Sequence, residues 1–109
     1  MIVDFNSIEQ VTLPNFKGGE KEYLVRMFAN DNLRLMEGCL MPGASIGLHK
    51  HEGNCEIMFI QSGTGVAIIN GMEEKVAPGI CHYCPEGDTH TLINYGNEPL
   101  KFLAAVQNL

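Results

Sequence analysis

Three residues able to hold a metal ion fall close together in G-A-S-I-G-L-H-K-H-E-G-N-C-E-I-M-F-I-Q-S-G, residues 43–63: His49, His51 and Glu56. Two imidazoles one residue apart share a face of an extended strand, because side chains alternate sides and i, i+2 coincide. Glu56 follows His51 by an odd step and would point the other way on an unbroken strand. Glu52, Gly53 and Asn54 supply turn chemistry between them. A reversal there starts a second strand at E-I-M-F-I and predicts three ligands from one hairpin, with Lys50 pointing away from the metal. Neutral imidazoles with a carboxylate suit a divalent transition ion.

The elements that must position these groups read as short strands. K-E-Y-L-V-R-M-F and L-R-L-M-E-G-C-L-M predict a hairpin with strands near 21–28 and 33–41, and Pro42-Gly43 marks the next turn. Asn70-Gly71 is the preferred type I′ pair and lies between two strand-like runs. I-C-H-Y-C, T-H-T-L-I-N and a final run at L-K-F-L-A-A-V-Q-N-L follow, while residues 1–20 form a lead-in or an edge strand. Eight to ten strands without a helical period predict an all-β antiparallel sandwich or barrel. With 109 residues, the chain is expected to form one domain around one core.

Seven Lys and Arg against thirteen Asp and Glu give a formal charge of -6, which argues against a nucleic-acid partner. No run reaches the length of a membrane span, and M-I-V-D-F-N-S-I-E-Q lacks the basic and apolar regions of a signal peptide. A cytoplasmic location is the expectation, with Cys39, Cys55, Cys81 and Cys84 as thiols.

Two ordered motifs then carry a resemblance. Gly43, His49, His51, Glu56 and Gly63 meet every spacing of G(X)5HXH(X)3-4E(X)6G, and Gly79, Pro85, Gly87, His90 and Asn94 meet G(X)5PXG(X)2H(X)3N. The chain thus resembles a compact single-domain cupin, with its first motif at 43–63, its second at 79–94 and fifteen residues between them. The resemblance implies a double-stranded β-helix, or jelly-roll barrel. It also implies one divalent ion (Fe, Mn, Ni, Co, Cu or Zn) on His49, His51, Glu56 and His90, and a homodimer in which residues 1–20 could exchange between copies.

Two functional readings follow. One is a metal-dependent enzyme acting on a small polar metabolite by oxygenase, isomerase, epimerase or decarboxylase chemistry; the other is a non-catalytic cupin that binds a sugar or an organic acid. No catalytic residue is singled out. His82 is expected to be a satisfied or exposed histidine outside the metal site. Cys81 and Cys84, three apart, should face opposite sides of a strand as packing thiols. Cys39 reads as core, and Cys55 as facing away from Glu56. Met27, Met36, Met41 and Met58 read as core or pocket lining, and Tyr83, Tyr95 and Phe102 as core. Arg26 and Arg34 are candidates for anion recognition, with surface placement the expectation for both.

Overall fold

Asn70 and Gly71, at φ 48° and 81°, make the left-handed pair that a tight two-residue hairpin requires. They join β6 (Gly65–Ile69) to β7 (Met72–Val76) and form the tip of a much longer antiparallel ribbon. Working outward from that tip, Glu56 of β5 (Asn54–Ser62) lies opposite Cys84 of β8 (Cys81–Cys84). His49 of β4 (Ser45–Lys50) lies opposite His90 of β9 (Thr89–Ile93). Met36 of β3 (Leu33–Leu40) lies opposite Ala104 of β10 (Leu100–Asn108). The nested pairs β3·β10, β4·β9, β5·β8 and β6·β7 define a jelly roll, in which one ribbon is rolled so that successive pairs fall alternately into two sheets.

This is a computed structural model that describes all 109 residues. With β1 (Val11–Pro14) and β2 (Glu22–Ala29) added, the sheets have the orders β1-β2-β3-β10-β5-β8 and β4-β9-β6-β7, antiparallel throughout. β1 is an edge strand on β2 of its own chain. Apart from strands there are two three-residue 3-10 turns, Phe5–Ser7 and Phe16–Gly18. No helix is long and apolar enough to cross a membrane.

The expected hairpin between the ligand-bearing strands is not formed, because β4 and β5 belong to different sheets. His51 stays bonded to the opposite turn, donating its N–H to the Asp88 carbonyl and accepting from Gly87 N–H. Gly53, at φ 74°, then carries the chain across the barrel. The carboxylate of Glu56 reaches the imidazoles because the crossing, rather than a reversal within one sheet, resets which side faces inward.

The core lies between the sheets and alternates along each strand. Val25, Leu40, Met58, Phe102 and Ala104 are buried, and Phe102 stacks on Tyr23 at 5.9 Å. Four core expectations fail, two of them on this alternation and two beyond strand ends. Cys39 sits between the inward Gly38 and Leu40 and therefore faces outward, half-buried. Tyr83 lies between the inward His82 and Cys84 and is exposed, and Tyr95 lies beyond the end of β9, also exposed. Met41 is exposed past the end of β3, whereas Met36 and Met58 are core.

Two contacts fix the segments nearest the site. Asn94, fully buried, donates to the carbonyls of Leu40 and Glu98 and accepts from Gly96 N–H, each at 2.8 Å, so the polar end of β9 is completely satisfied. Gly19 and Gly47 let two backbones touch: a Cβ on Gly47 would strike the Lys17 carbonyl oxygen and lie 2.6 Å from Gly19 N. That approach seats Phe16 and Lys17 beside β4. Gly47→Ala should therefore cost roughly 1–3 kcal/mol through overpacking, read as a lower urea midpoint in metal-free protein. A wild-type midpoint would contradict the close approach.

Candidate metal centre

The structure brings His49, His51, Glu56 and His90 together, with one side-chain ligand atom from each lying within 4.8 Å of the others. His49 and His90 are register partners across β4 and β9, next to an irregularity in the pairing between Ile46 and His49. His51 follows the end of β4, and Glu56 projects inward from β5 of the other sheet. His90 Nε2 lies 2.9 Å from His51 Nε2 and 3.2 Å from His49 Nε2. Glu56 Oε1 is 3.2 Å from His51 Nε2 and 3.1 Å from His90 Nε2. His51, Glu56 and His90 are buried, and His49 is half-buried.

The outward nitrogens show what these central atoms are. His49 Nδ1 lies 2.7 Å from the Gly47 carbonyl oxygen, which can only accept, so Nδ1 carries the proton. His51 Nδ1 lies 2.6 Å from Asn54 Oδ1, again an acceptor. A neutral ring with hydrogen on Nδ1 presents a lone pair at Nε2. Neutral His49 and His51 thus aim lone pairs into the space that a carboxylate oxygen also occupies. Such a set is stable only around positive charge, supplied either by a proton or by a cation.

Without a metal, protons take that role. Burial, the largest influence on Glu56, would raise its pKa, but hydrogen bonds from His51 and His90 together with their charge bring it to about 2. The Glu56 hydrogen bond raises the His51 pKa, against burial, which lowers it. His49 is lowered, chiefly by burial. Three imidazoles and a carboxylate with their outer nitrogens engaged suit a divalent transition ion.

The set borders a cavity of about 310 Å³. Its walls are mainly apolar, among them Phe16, Tyr23, Val25, Met36 and Ile46. Lys17, Arg34 and Lys50 are its charged residues apart from the metal-ligand candidates. Arg34, Val106 and Glu56 are consecutive register partners across β3, β10 and β5 and share the inner face, so two strand spacings, roughly 10 Å, separate the Arg34 and Glu56 backbones. Lys50, expected to point away, lines the cavity while lying 3.5 Å from Glu52. Tyr23, with its hydroxyl 3.9 Å from Met36 Sδ, is the phenol at the site, and burial followed by the Glu56 charge raises its pKa.

His82 is a satisfied histidine outside the ligand set, as expected, but it lies buried directly behind His90. Its Nε2 is 2.9 Å from His90 Nδ1 and its Nδ1 2.9 Å from Glu74 Oε1. Parity could have found it: His82 is two residues before Cys84, whose register partner is Glu56, so all three face inward. Arg34, two residues before the core residue Met36, has inner-face parity and lines the cavity, yet it is exposed, as its charge leads one to expect. Arg26 does face outward, paired with Glu37 at 3.3 Å. Cys55 lies on the outward side of β5, adjacent to the inward Glu56, and Cys81 is exposed. Cys84 is buried, and its thiol is pushed up to about 12 by burial and then by Asp88.

Comparison with known proteins fits this arrangement. The cupin domain family matches residues 36–106, which hold both halves of the rolled ribbon from β3 to β10. The oxalate-binding protein of Thermotoga maritima is 35% identical, covering 97% of this chain and 93% of its own length. The crystal structure of a predicted oxalate decarboxylase from Thermotoga maritima superposes with a TM-score of 0.93 at 32% identity, over 100% of both chains. The polyketide cyclase RemF from Streptomyces resistomycificus shares the fold, with a TM-score of 0.76 at 24% identity over 100% of this chain and 84% of its own. With the matched region spanning the nested strand pairs that position all four converging residues, this chain belongs to the cupin family.

Proposed function

We propose that this chain holds one divalent transition metal on His49, His51, Glu56 and His90 and uses it to bind a small carboxylate of the oxalate type. The observation that carries the reading is the charge arrangement of the cavity. Beside the four converging residues it holds three cations, Lys17, Arg34 and Lys50, and no second carboxylic acid. A bound ion would supply Lewis acidity toward a carboxylate oxygen. Arg34, exposed like the two lysines, lines the same cavity and offers a planar pair of donors to a second carboxylate. A volume near 310 Å³ is at the small end for ligand pockets and suits a compact anion. The 35% identical relative named for oxalate binding supports the same class.

Binding without turnover is favoured because no acid or base outside the ligand set is placed for proton transfer. Tyr23 is held against a sulfur atom with its proton retained, and Lys17 and Lys50 are exposed at the rim. The structural relative described as a predicted oxalate decarboxylase supports the alternative, an enzyme that decarboxylates this ligand. Formate accumulating from oxalate in the presence of metal-loaded protein would establish the alternative, and unchanged oxalate would leave binding as the activity. The net charge of -6 and a cavity suited to a small molecule favour neither a nucleic-acid partner nor a membrane role. We assign the protein to the cytoplasm on its free thiols.

We assign the outer face of the six-stranded sheet to a second copy of the chain. Phe28, Leu35, Ala105, Ile57 and Tyr83 form one register row across five strands of that face, beside Leu103 and Phe59. The neighbouring Arg26–Glu37 pair sums to zero charge, so two acidic chains can meet there without like-charge repulsion. Light scattering should give twice the chain mass for wild type and the chain mass for Phe59→Lys. A monomeric wild type would contradict the dimer.

Replacing His51 or His90 with Ala should abolish the one-per-chain metal found by elemental analysis of wild type, and full metal content in either variant would refute the ligand assignment. Because the His51 pKa is raised, a proton occupies the metal-free site to a pH above about 6.5. Metal uptake displaces it, so affinity should fall about tenfold per pH unit between about pH 7 and pH 5, measured by chelator competition. A pH-independent affinity would count against histidine ligation. Calorimetry should show oxalate binding only to metal-loaded protein, with Arg34→Met weakening it by about 10- to 100-fold, the loss of a charge-assisted hydrogen bond. Equal affinity in that variant would remove Arg34 from the ligand site.

A further inference from the structure

We propose that Glu74 and His82 are a positioning pair that fixes the tautomer and orientation of His90 as a metal ligand. This rests on the metal reading above. The three imidazoles at the centre are held in different ways. His49 is held by a carbonyl two residues before it, and His51 by an amide three residues after it. The outer nitrogen of His90, in contrast, meets only a side chain from another strand, His82 of β8, whose far nitrogen meets Glu74 of β7.

Hydrogen-bond bookkeeping allows one arrangement along this chain when the rings are neutral. Glu74 as a carboxylate can only accept, so His82 Nδ1 carries hydrogen and donates to Oε1 across 2.9 Å. His82 Nε2 is then an acceptor. His90 Nδ1 must therefore be the donor across the next 2.9 Å, which leaves the lone pair of His90 on Nε2, directed at His49, His51 and Glu56. The carboxylate at the far end sets the proton position on both rings. The rings of His82 and His90 are also nearly coplanar in direction, 18° apart with centroids at 5.2 Å, so packing limits rotation of His90.

The placement of His82 is otherwise unfavourable. Its register row across the six-stranded sheet runs through Met58, Ala104 and Met36, all buried and apolar. An imidazole in that row loses hydration that a hydrocarbon would not, and recovers it only through its two hydrogen bonds. Neither His82 nor Glu74 lines the cavity, so neither is placed to touch the small-molecule ligand. The Glu74 side chain is 53% exposed, so the pair runs from solvent to the back of His90.

The test uses full-length protein with Zn(II) alone, measured by competition with a chromophoric chelator, and Cu(II)-loaded protein measured by pulsed electron spin-echo spectroscopy of the remote imidazole nitrogen. His82→Phe and Glu74→Ala should each weaken Zn(II) binding by about 10- to 100-fold while keeping one ion per chain at saturation. His82→Gln, whose amide can accept from His90 and donate to Glu74, should restore most of the affinity. In Cu(II) protein one remote-nitrogen quadrupole coupling should shift in His82→Phe and Glu74→Ala and return toward wild type in His82→Gln. A purely structural role would leave that coupling unmoved. Should His82→Phe fail to fold, Glu74→Ala, at a half-exposed position, decides. Wild-type affinity and an unchanged coupling in Glu74→Ala would overturn the pairing. Absence of stoichiometric Zn(II) in wild type would overturn the metal reading itself, and the pairing with it.

Discussion

Four electron-pair donors occupy a space only a few ångström across, and that crowding governs the rest of the molecule. His90 Nε2 lies 2.9–3.2 Å from Nε2 of His49 and His51 and from Glu56 Oε1, which is itself 3.2 Å from His51 Nε2, and all four ligand atoms fall within 4.8 Å of one another. Lone pairs at such distances repel unless positive charge lies between them. Protons serve in the metal-free protein, which is why Glu56 titrates near 2 despite its burial and why the His51 pKa is raised. A divalent cation would serve better, since one charge centre satisfies all four donors without putting a proton on any ring. The outer hydrogen bonds to Gly47 and Asn54 make sense on the same basis, because they commit the protons of His49 and His51 to the side away from the centre.

The barrel makes this crowding possible by bringing distant segments into register. The Cα partners lie at nearly equal distances along the chain on either side of Asn70-Gly71, from Ile69 and Met72 at the tip to Met36 and Ala104 near the ends. His49 and His90 meet because they are placed symmetrically about that turn, and rolling the ribbon moves Glu56 into the opposite sheet to face them. A cation at the centre would join β4 and β9 of one sheet to β5 of the other, adding a cross-link between the two sheets.

Much of this is legible in the residues. Strand positions followed from turn pairs such as Asn70-Gly71 and Pro42-Gly43, and the two spaced motifs indicated both the jelly roll and the four residues that converge. Less legible was how β4 connects to β5. A hairpin and a sheet-to-sheet crossing both place Glu56 inward, and Glu52-Gly53-Asn54 is turn chemistry in either case. Side-chain direction on the flanking strands was readable in principle. Arg34 shares the parity of Met36 and lines the cavity while keeping the surface exposure that its charge suggested, and His82, with the parity of Cys84, is the satisfied histidine outside the ligand set that was expected, though its burial behind His90 was not. Tyr83 and Cys39 show the converse, since an apolar or aromatic residue on the outer face of a sheet has the composition of a core residue without its surroundings. That face carries Phe28, Leu35, Ile57 and Phe59 as well, which is why hydrophobicity alone did not separate inside from outside.

The most direct test of the central claim is anomalous diffraction from crystals of the full chain loaded with Mn(II). One anomalous peak per chain is expected at about 2.0–2.3 Å from Nε2 of His49, His51 and His90 and from a carboxylate oxygen of Glu56. A structure of the loaded protein with no peak there, or with the ion bound elsewhere, would contradict it.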